Sequence, residues 1–482
     1  MSIIQQDDIQ YVQASFCSRG GRLFQWENEL YRGLSPDLSP FYDQLFLDGL
    51  IDGLIADGFL VETSRTDFVL EGYGLVVKHR KLPFVSYPYE WCSEAFKEAA
   101  LFFLDFNLAL LKVGLMSFDV LPNNILFEGN KPIFVDLDSI RPWDTVDLDV
   151  WYEEFQLLFM RPLRLLEAGN DRIARLCMAD WKGWRRGVSQ SDFVLLTDQE
   201  LSKRFVNAQV QGLSKRMPYR VKSLLRHAQQ RLAGHARPSL AAPPASVQQI
   251  SADLYALRTQ VSALDVVHVP SWDYYRDLFA FPSFVDNSDW SAKHRGVARA
   301  LDMAAPTSIV DIGSNRGWYA QFAASRGVPV IALDRDDNLV SLLYRDAKHE
   351  KLPLQPLVMD IVWPTPTQGL LGVWASAVDR LKCDMVMALA LIHHLVHAEG
   401  MRFDQIIEGL SQFTTRWLLI EFVPYEDPHL DQWQGLFRQS WYNLENFLTS
   451  LQKSYRIVKI IESDPLQRTL ILAEKATPPN RD

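Results

Sequence analysis

Cysteine is scarce in this chain, and the little there is forms no pattern. Four cysteines are spread over 482 residues. Cys17, Cys92, Cys177 and Cys383 make no Cys-x-x-Cys and have no histidine at zinc-ligand spacing. That excludes a zinc module and a disulfide framework, and reads as reduced core thiols in a cytoplasmic protein. Positive charge is short too: 49 Lys and Arg face 59 Asp and Glu, for a formal net charge of −10. Phosphate backbones need a basic face, so nucleic acid is not the main partner. Long apolar runs are missing as well. Leu101 to Met116 and Met385 to Ile392 are interrupted or too short to span a bilayer. Gln5, Gln6, Asp7 and Asp8 stand where a signal peptide needs a basic and then an apolar run. No transmembrane segment or signal peptide is expected, while a membrane surface stays open as a peripheral partner. No internal repeat is visible.

What is present belongs to a globular protein. Apolar residues make up 48% of the chain, and its length exceeds what one core usually serves. Gly234 to Ser246, small and Pro-rich, is the clearest linker. The division expected is therefore 1–233, a Pro/Ala-rich linker over 234–249, and 250–482, with 250–300 a helical and aromatic lead-in. The basic residues between Lys203 and Arg231 read as a solvated helical face, because aromatics are not interleaved with them.

The second half is organised around Ile309-Val-Asp311-Ile-Gly313-Ser314-Asn315-Arg-Gly317-Trp318. Ile309, Val310 and Ile312 end a buried strand, and Trp318 opens a helix. Between them, Gly313 and Gly317 let the backbone take φ > 0 and let a ligand press against it. Asn315 tolerates the left-handed region best among residues with a side chain. Asp311, a fixed negative charge at the strand end, suits a ligand carrying an amine or a sulfonium better than a pyrophosphate. Further apolar strands end at Asp334, Asp360 and Glu421, and a fourth runs from Asp384 to Leu391. In an open α/β sheet an acid after the second strand binds ribose hydroxyls, the place of Asp334.

These residues resemble the class I S-adenosylmethionine (SAM)-dependent methyltransferases, over about Ser291 to Lys475. The resemblance implies a Rossmann-like sheet with helices on both faces and SAM as cofactor. Its implied contacts are Asp311, Gly313, Ser314, Asn315, Gly317, Asp334, Asp360 and Ala388. The loop after the fourth strand borders the methyl group in that fold, and here it holds His393 and His394. A histidine there titrates near neutrality and suits a general base, with Glu421 as the alternative. His397 lies one turn beyond His394, but no carboxylate completes a metal site, and none is expected.

A second motif lies in the first half. Asp119-Val-Leu-Pro-Asn-Asn124, then a hairpin strand ending in Val-Asp136-Leu-Asp138, resembles the protein-kinase and aminoglycoside-phosphotransferase superfamily. The resemblance implies a degenerate two-lobe α+β domain in which Asp119 orients an acceptor hydroxyl. Asn124 and Asp136 would hold Mg²⁺ under ATP. Ser117 stands where that family has histidine, and Arg32 where a strand lysine reaches phosphates, a poor exchange for a point charge. The lobe therefore reads as a scaffold or regulatory element before active phosphotransfer. The whole chain resembles bacterial proteins that join such a half to a methyltransferase half and are linked with surface-carbohydrate or nodulation-type modification. The function expected is O-methylation of a carbohydrate or glycoconjugate. The alternatives are a bifunctional kinase-methyltransferase and a SAM-binding regulatory pseudoenzyme.

Overall fold

The structure is a computed structural model, and it describes residues 2–13, 15, 20–180, 246–268, 282–427, 439–465 and 467–476. Cys17, the basic run 203–231, almost all of the expected linker and the aromatic stretch 271–281 lie outside those residues. The chain forms two compact units. The first comprises Met1–Ala99, Leu121–Ile140 and Val267–Asp482; the second comprises Ala100–Val120 and Arg141–Val266.

Among the described residues the first unit holds two large sheets and two two-stranded ones. The N-terminal sheet uses β1 (Gln10–Tyr11), β2 (Gly21–Trp26), β3 (Glu29–Leu34), β4 (Thr63–Arg65) and β5 (Leu75–His79), in the order β1-β2-β3-β5-β4 and antiparallel throughout. The apolar residues from Phe41 to Ile55 keep helical spacing, yet they form two helices, α1 (Ser39–Leu47) and α2 (Leu50–Ala56). Gly49, at φ 72°, breaks the stripe in a left-handed turn that an L side chain resists. Strand Phe68–Leu70 is separated from β5 by a turn with Gly72 at φ 86°. Leu60 makes a single parallel bridge to Phe134. Phe134 ends the hairpin of β6 (Ile125–Glu128) and β7 (Lys131–Phe134).

The long helix α3 (Ser93–Leu111) passes from the first unit into the second. The described part of the second unit is mostly helical, besides a short strand at Leu115–Ser117, with Trp151, Phe155 and Phe159 stacked against Phe103 or one another at 5.2–5.8 Å between ring centroids. Its C-terminal helix α4 (Val247–Ala263) pairs Arg258 with Asp105 through two hydrogen bonds of 2.6 and 3.1 Å.

The second large sheet of the first unit positions the candidate site. Helix α5 (Ala292–Ala304) leads into β8 (Ile309–Ile312), and α6 (Trp318–Ser325), β9 (Val330–Asp334), α7 (Asp337–His349) and β10 (Leu354–Val358) follow. Then come β11 (Cys383–Ala388), α8 (Ile392–His397), β12 (Thr414–Phe422) and a terminal hairpin of β13 (Tyr455–Glu462) and β14 (Thr469–Lys475). The strand order is β10-β9-β8-β11-β12-β14-β13. The first five strands are mutually parallel, and β14 runs antiparallel to β12. All four residues of β8 are buried, as the continuous apolar reading of a two-faced parallel strand requires. This mixed α/β sheet reverses its winding between β8 and β11, so a ligand crevice is expected outside the carboxyl ends of those two strands.

Candidate active site

The sequence places Gly313, Ser314, Asn315, Arg316 and Gly317 directly after β8. Gly313 and Gly317 have φ of 75° and 72°, and Asn315 follows them into the left-handed region at 51°. Gly317 has a second reason to lack a side chain, since a Cβ there would meet Leu343 at 2.5 Å. The loop's backbone donors are all consumed internally. The N–H groups of Gly313 and Ser314 donate to the Leu333 carbonyl at 2.8 and 3.0 Å, and that of Gly317 donates to the Ser314 carbonyl at 2.8 Å. Asn315 N–H donates to Asp334 Oδ2 at 2.8 Å, and Arg316 N–H to Asn315 Oδ1 at 2.6 Å. A pyrophosphate needs such N–H groups turned outward. This loop turns them inward and presents acids.

Two of those acids stand at the crevice. Asp311, buried within β8, has its carboxyl pushed up to about 7 by burial, partly offset by Lys293 and reinforced by Asp334. Burial also raises Asp334, against hydrogen bonds from the backbone N–H groups of Asp336 and Asn315 that favour its charged form. Asp334 accepts one backbone N–H on each oxygen, at 2.8 and 3.0 Å. Each oxygen keeps a second lone pair for a ligand hydroxyl. Asp360 follows β10 and accepts the Val362 N–H at 2.9 Å. Ala388, fully buried, ends β11 beside the switch point. Ser314 Oγ is buried without any hydrogen-bond partner, an orphan that a ligand in the crevice would satisfy.

The remaining candidates have different surroundings. Glu421, fully buried in β12, accepts Lys293 Nζ at 2.7 Å on one oxygen and the Ser463 hydroxyl at 2.6 Å on the other. Lys293 also lies over the Tyr319 ring, 5.1 Å from its centroid. A base must be reachable by a substrate proton, and Glu421 is fully buried beneath its lysine and serine partners. His393 and His394 open α8 with ring centroids 4.1 Å apart. His393 is buried, its Nδ1 has no partner, and burial, with His394 and Arg468 nearby, drives its pKa down to about 2. His394 is lowered too, by burial first and then by Arg335. Both are neutral imidazoles able to accept at neutral pH, but burial takes them out of the near-neutral titration expected of a histidine in this loop. Sequence reasoning missed the ion pair of Arg468 with Asp427, joined at 2.6 and 3.0 Å. Both residues act electrostatically on His393. Nothing in the local sequence marks that pair, because its members come together only through the terminal hairpin.

The residues that carry the phosphotransferase resemblance are divided between the two units. Asp119 belongs to the second unit, whereas Asn124 and Asp136 belong to the first. The Asn124 carbonyl accepts the Val135 N–H at 2.9 Å, and its Nδ2 is buried with no partner. Asp136 accepts Arg32 Nη1 at 3.1 Å, and the same guanidinium is paired with Asp138. Arg32, which stands where the resemblance has a phosphate-reaching lysine, is paired with both of these carboxylates. Among the described residues, no group of three or more His, Cys, Asp or Glu side chains is placed to hold a metal ion. Mg²⁺ does not fit an acid pair that already carries a buried arginine. No described helix is long and apolar enough to cross a membrane.

No protein-family model matches the chain. It is similar to the nodulation protein NoeA of Rhizobium meliloti (strain 1021), with 27% identity and 96% of each chain covered. Among solved structures it is similar to the magnesium protoporphyrin IX methyltransferase of Synechocystis PCC 6803 with bound SAH, at 16% identity and a TM-score of 0.29, covering 42% of this chain and 94% of that one. It is also similar to the N-methyltransferase NodS of Bradyrhizobium japonicum WM9, at 13% identity and a TM-score of 0.29, over 38% and 94% of the two chains. The bifunctional kinase-methyltransferase WbdD is similar at 17% identity and a TM-score of 0.29, over 46% of each chain.

Proposed function

We propose that the chain is a SAM-dependent methyltransferase of the class I type, acting on a hydroxyl of a carbohydrate or glycoconjugate. One observation carries the cofactor reading: the crevice at the switch point offers acids, and the glycine loop beneath it offers no free N–H group. Anionic dinucleotides are poorly served by that arrangement. An adenosyl ribose with an amino-acid ammonium matches it, the hydroxyls on Asp334 and the positive charge toward Asp311. SAM bound there supplies an activated methyl group on a sulfonium.

The protein's own part is to position the acceptor and take its proton. His393 or His394 is the base in this reading, because both are neutral acceptors on the helix after β11, and His393 Nδ1 has no other partner. Glu421 serves with Lys293 to hold β12 against α5. The kinase-like half is read as a scaffold that presents the acceptor. Nodulation, in the name of the similar rhizobial protein, suits a modified surface or signal glycan.

The direct test is incubation with SAM and surface polysaccharide or lipid-linked glycan, followed by mass spectrometry. The reading predicts S-adenosylhomocysteine and one added methyl group on the glycan. SAM binding with no S-adenosylhomocysteine from any extract of the source cell favours the sensor alternative. Mg²⁺-dependent phosphorylation of a sugar, lost in Asp136→Asn, would make the chain a two-step modifier.

A further inference from the structure

Arg32 sits in β3, the middle strand of the N-terminal sheet, and is only 3% exposed. It crosses 104 residues of sequence to reach Asp136, and the same nitrogen contacts Asp138. Asp138 is itself 3% exposed. Burial lowers the Arg32 pKa, but a guanidinium keeps its proton at any ordinary pH. Asp136 follows the hairpin strand, where the phosphotransferase resemblance places a metal ligand. His79 lies in the neighbouring strand, and its Nδ1 is 2.8 Å from Thr63 Oγ1, whose own proton goes to the Val61 carbonyl. The His79 Nδ1 must then donate, which leaves Nε2 unprotonated, neutral and without a partner. The ion pairs named here join one arginine to two carboxylates.

The geometry points to Arg32 as a resident cation that takes the place of a divalent metal between Asp136 and Asp138, making this half of the chain metal-independent. Its planar fork is anchored by backbone on a central strand and cannot leave as a hydrated ion does. A second cation brought to the same carboxylates would meet a buried positive charge at hydrogen-bond distance, where repulsion is strong and water cannot screen it. The arrangement converts a metal-binding pattern into a permanent tie between the N-terminal sheet and the hairpin. This inference does not rest on the methyl-transfer reading.

Mn²⁺, followed by electron paramagnetic resonance and by thermal melting of the full-length protein, is the probe. At Mn²⁺ up to about 1 mM, the weak end for protein carboxylate sites, wild type and Asp136→Asn should bind the same amount, with or without ATP. Arg32→Met, with the side chain shortened of its charge, should gain one ion per chain at least tenfold tighter than wild type. Its melting temperature should rise with Mn²⁺, and both gains should vanish in Arg32→Met/Asp136→Asn. A Mn²⁺ ion bound by wild type and lost in Asp136→Asn would overturn the inference. So would a folded Arg32→Met that gains no ion. If Arg32→Met does not fold even with Mn²⁺, the comparison of wild type with Asp136→Asn decides alone.

Discussion

Ser93 gives both its backbone N–H and its hydroxyl to Asp337, each at 2.7 Å, one to each carboxylate oxygen. The bond ties the first residue of α3 to the first residue of α7, 244 residues away in sequence. Asp337 stands three positions after Asp334, the acid assigned to ribose. Both partners are buried, and Ser341 adds a third donor to Asp337 at 3.2 Å. A carboxylate at a helix N-terminus also meets the favourable end of the helix dipole. Asp337→Ala leaves the Ser93 donors unpaired in the interior. We expect a loss of about 2–4 kcal/mol in chemical denaturation, from hydrogen bonds to a charged group and a stranded buried donor. Asp337→Asn, which keeps one acceptor, should lose less. Equal stability of wild type and Asp337→Ala would remove this tie from the account.

The Asp311 carboxyl predicts how SAM binding responds to pH. With its pKa held up to about 7 in the free protein, Asp311 is largely protonated below neutrality and must ionise to meet an ammonium. Binding should therefore release a proton, and affinity should rise with pH from about 5.5 to 7, approaching tenfold per unit at the acid end. Calorimetry in buffers of different ionisation enthalpy reads the proton directly. Asp311→Asn should bind weakly with no such pH dependence, and a pH-independent wild type would contradict the assignment.

How much of this was open to sequence reading depended on range. The β8 loop, with Gly313, Asn315 and Gly317, and the acids Asp311, Asp334 and Asp360 stand beside the strands that position them, so local pattern revealed them. The partner of Glu421 did not show, because Lys293 lies 128 residues away on α5. The Arg32–Asp136 contact was hidden for the same reason, and Arg32 was assigned to phosphate because only its strand was legible. The break at Gly49 does not show in the pattern, because apolar residues continue at helical spacing on both sides of it. Turn chemistry at a single glycine outweighed periodicity there.

Buried histidines should weaken the protein in acid. Burial holds His79 at about 3 and His393 at about 2, against the ordinary 6.5. Protons then bind the unfolded chain in preference, so this stability is complete above about 6.5 and is lost as pH falls. Each such group contributes about 1.4 kcal/mol per pH unit. His393→Asn should therefore lose about 2 kcal/mol less than wild type between pH 7 and pH 5 in urea titrations. Parallel curves for the two proteins would show that His393 is not buried neutral.

Lys293 and Glu421 should be separable from catalysis by the way they fail. Lys293→Ala leaves a fully buried carboxylate without its counter-charge, at a cost of about 3–5 kcal/mol in stability. Lys293→Met with Glu421→Gln removes both charges at similar volume and should recover most of it. Methyl transfer that survives in this double variant excludes Glu421 as the base, and its complete loss in a stable double variant would restore Glu421 to that role.

The central claim is that SAM sits over the β8 loop with its ribose on Asp334. Isothermal calorimetry of SAM with wild type and with Asp334→Ala tests it most directly. The account predicts one site per chain in wild type and a loss of at least about tenfold in affinity, roughly 1.5 kcal/mol, in the variant. No heat of binding from wild type, or equal affinity in the two proteins, would contradict it.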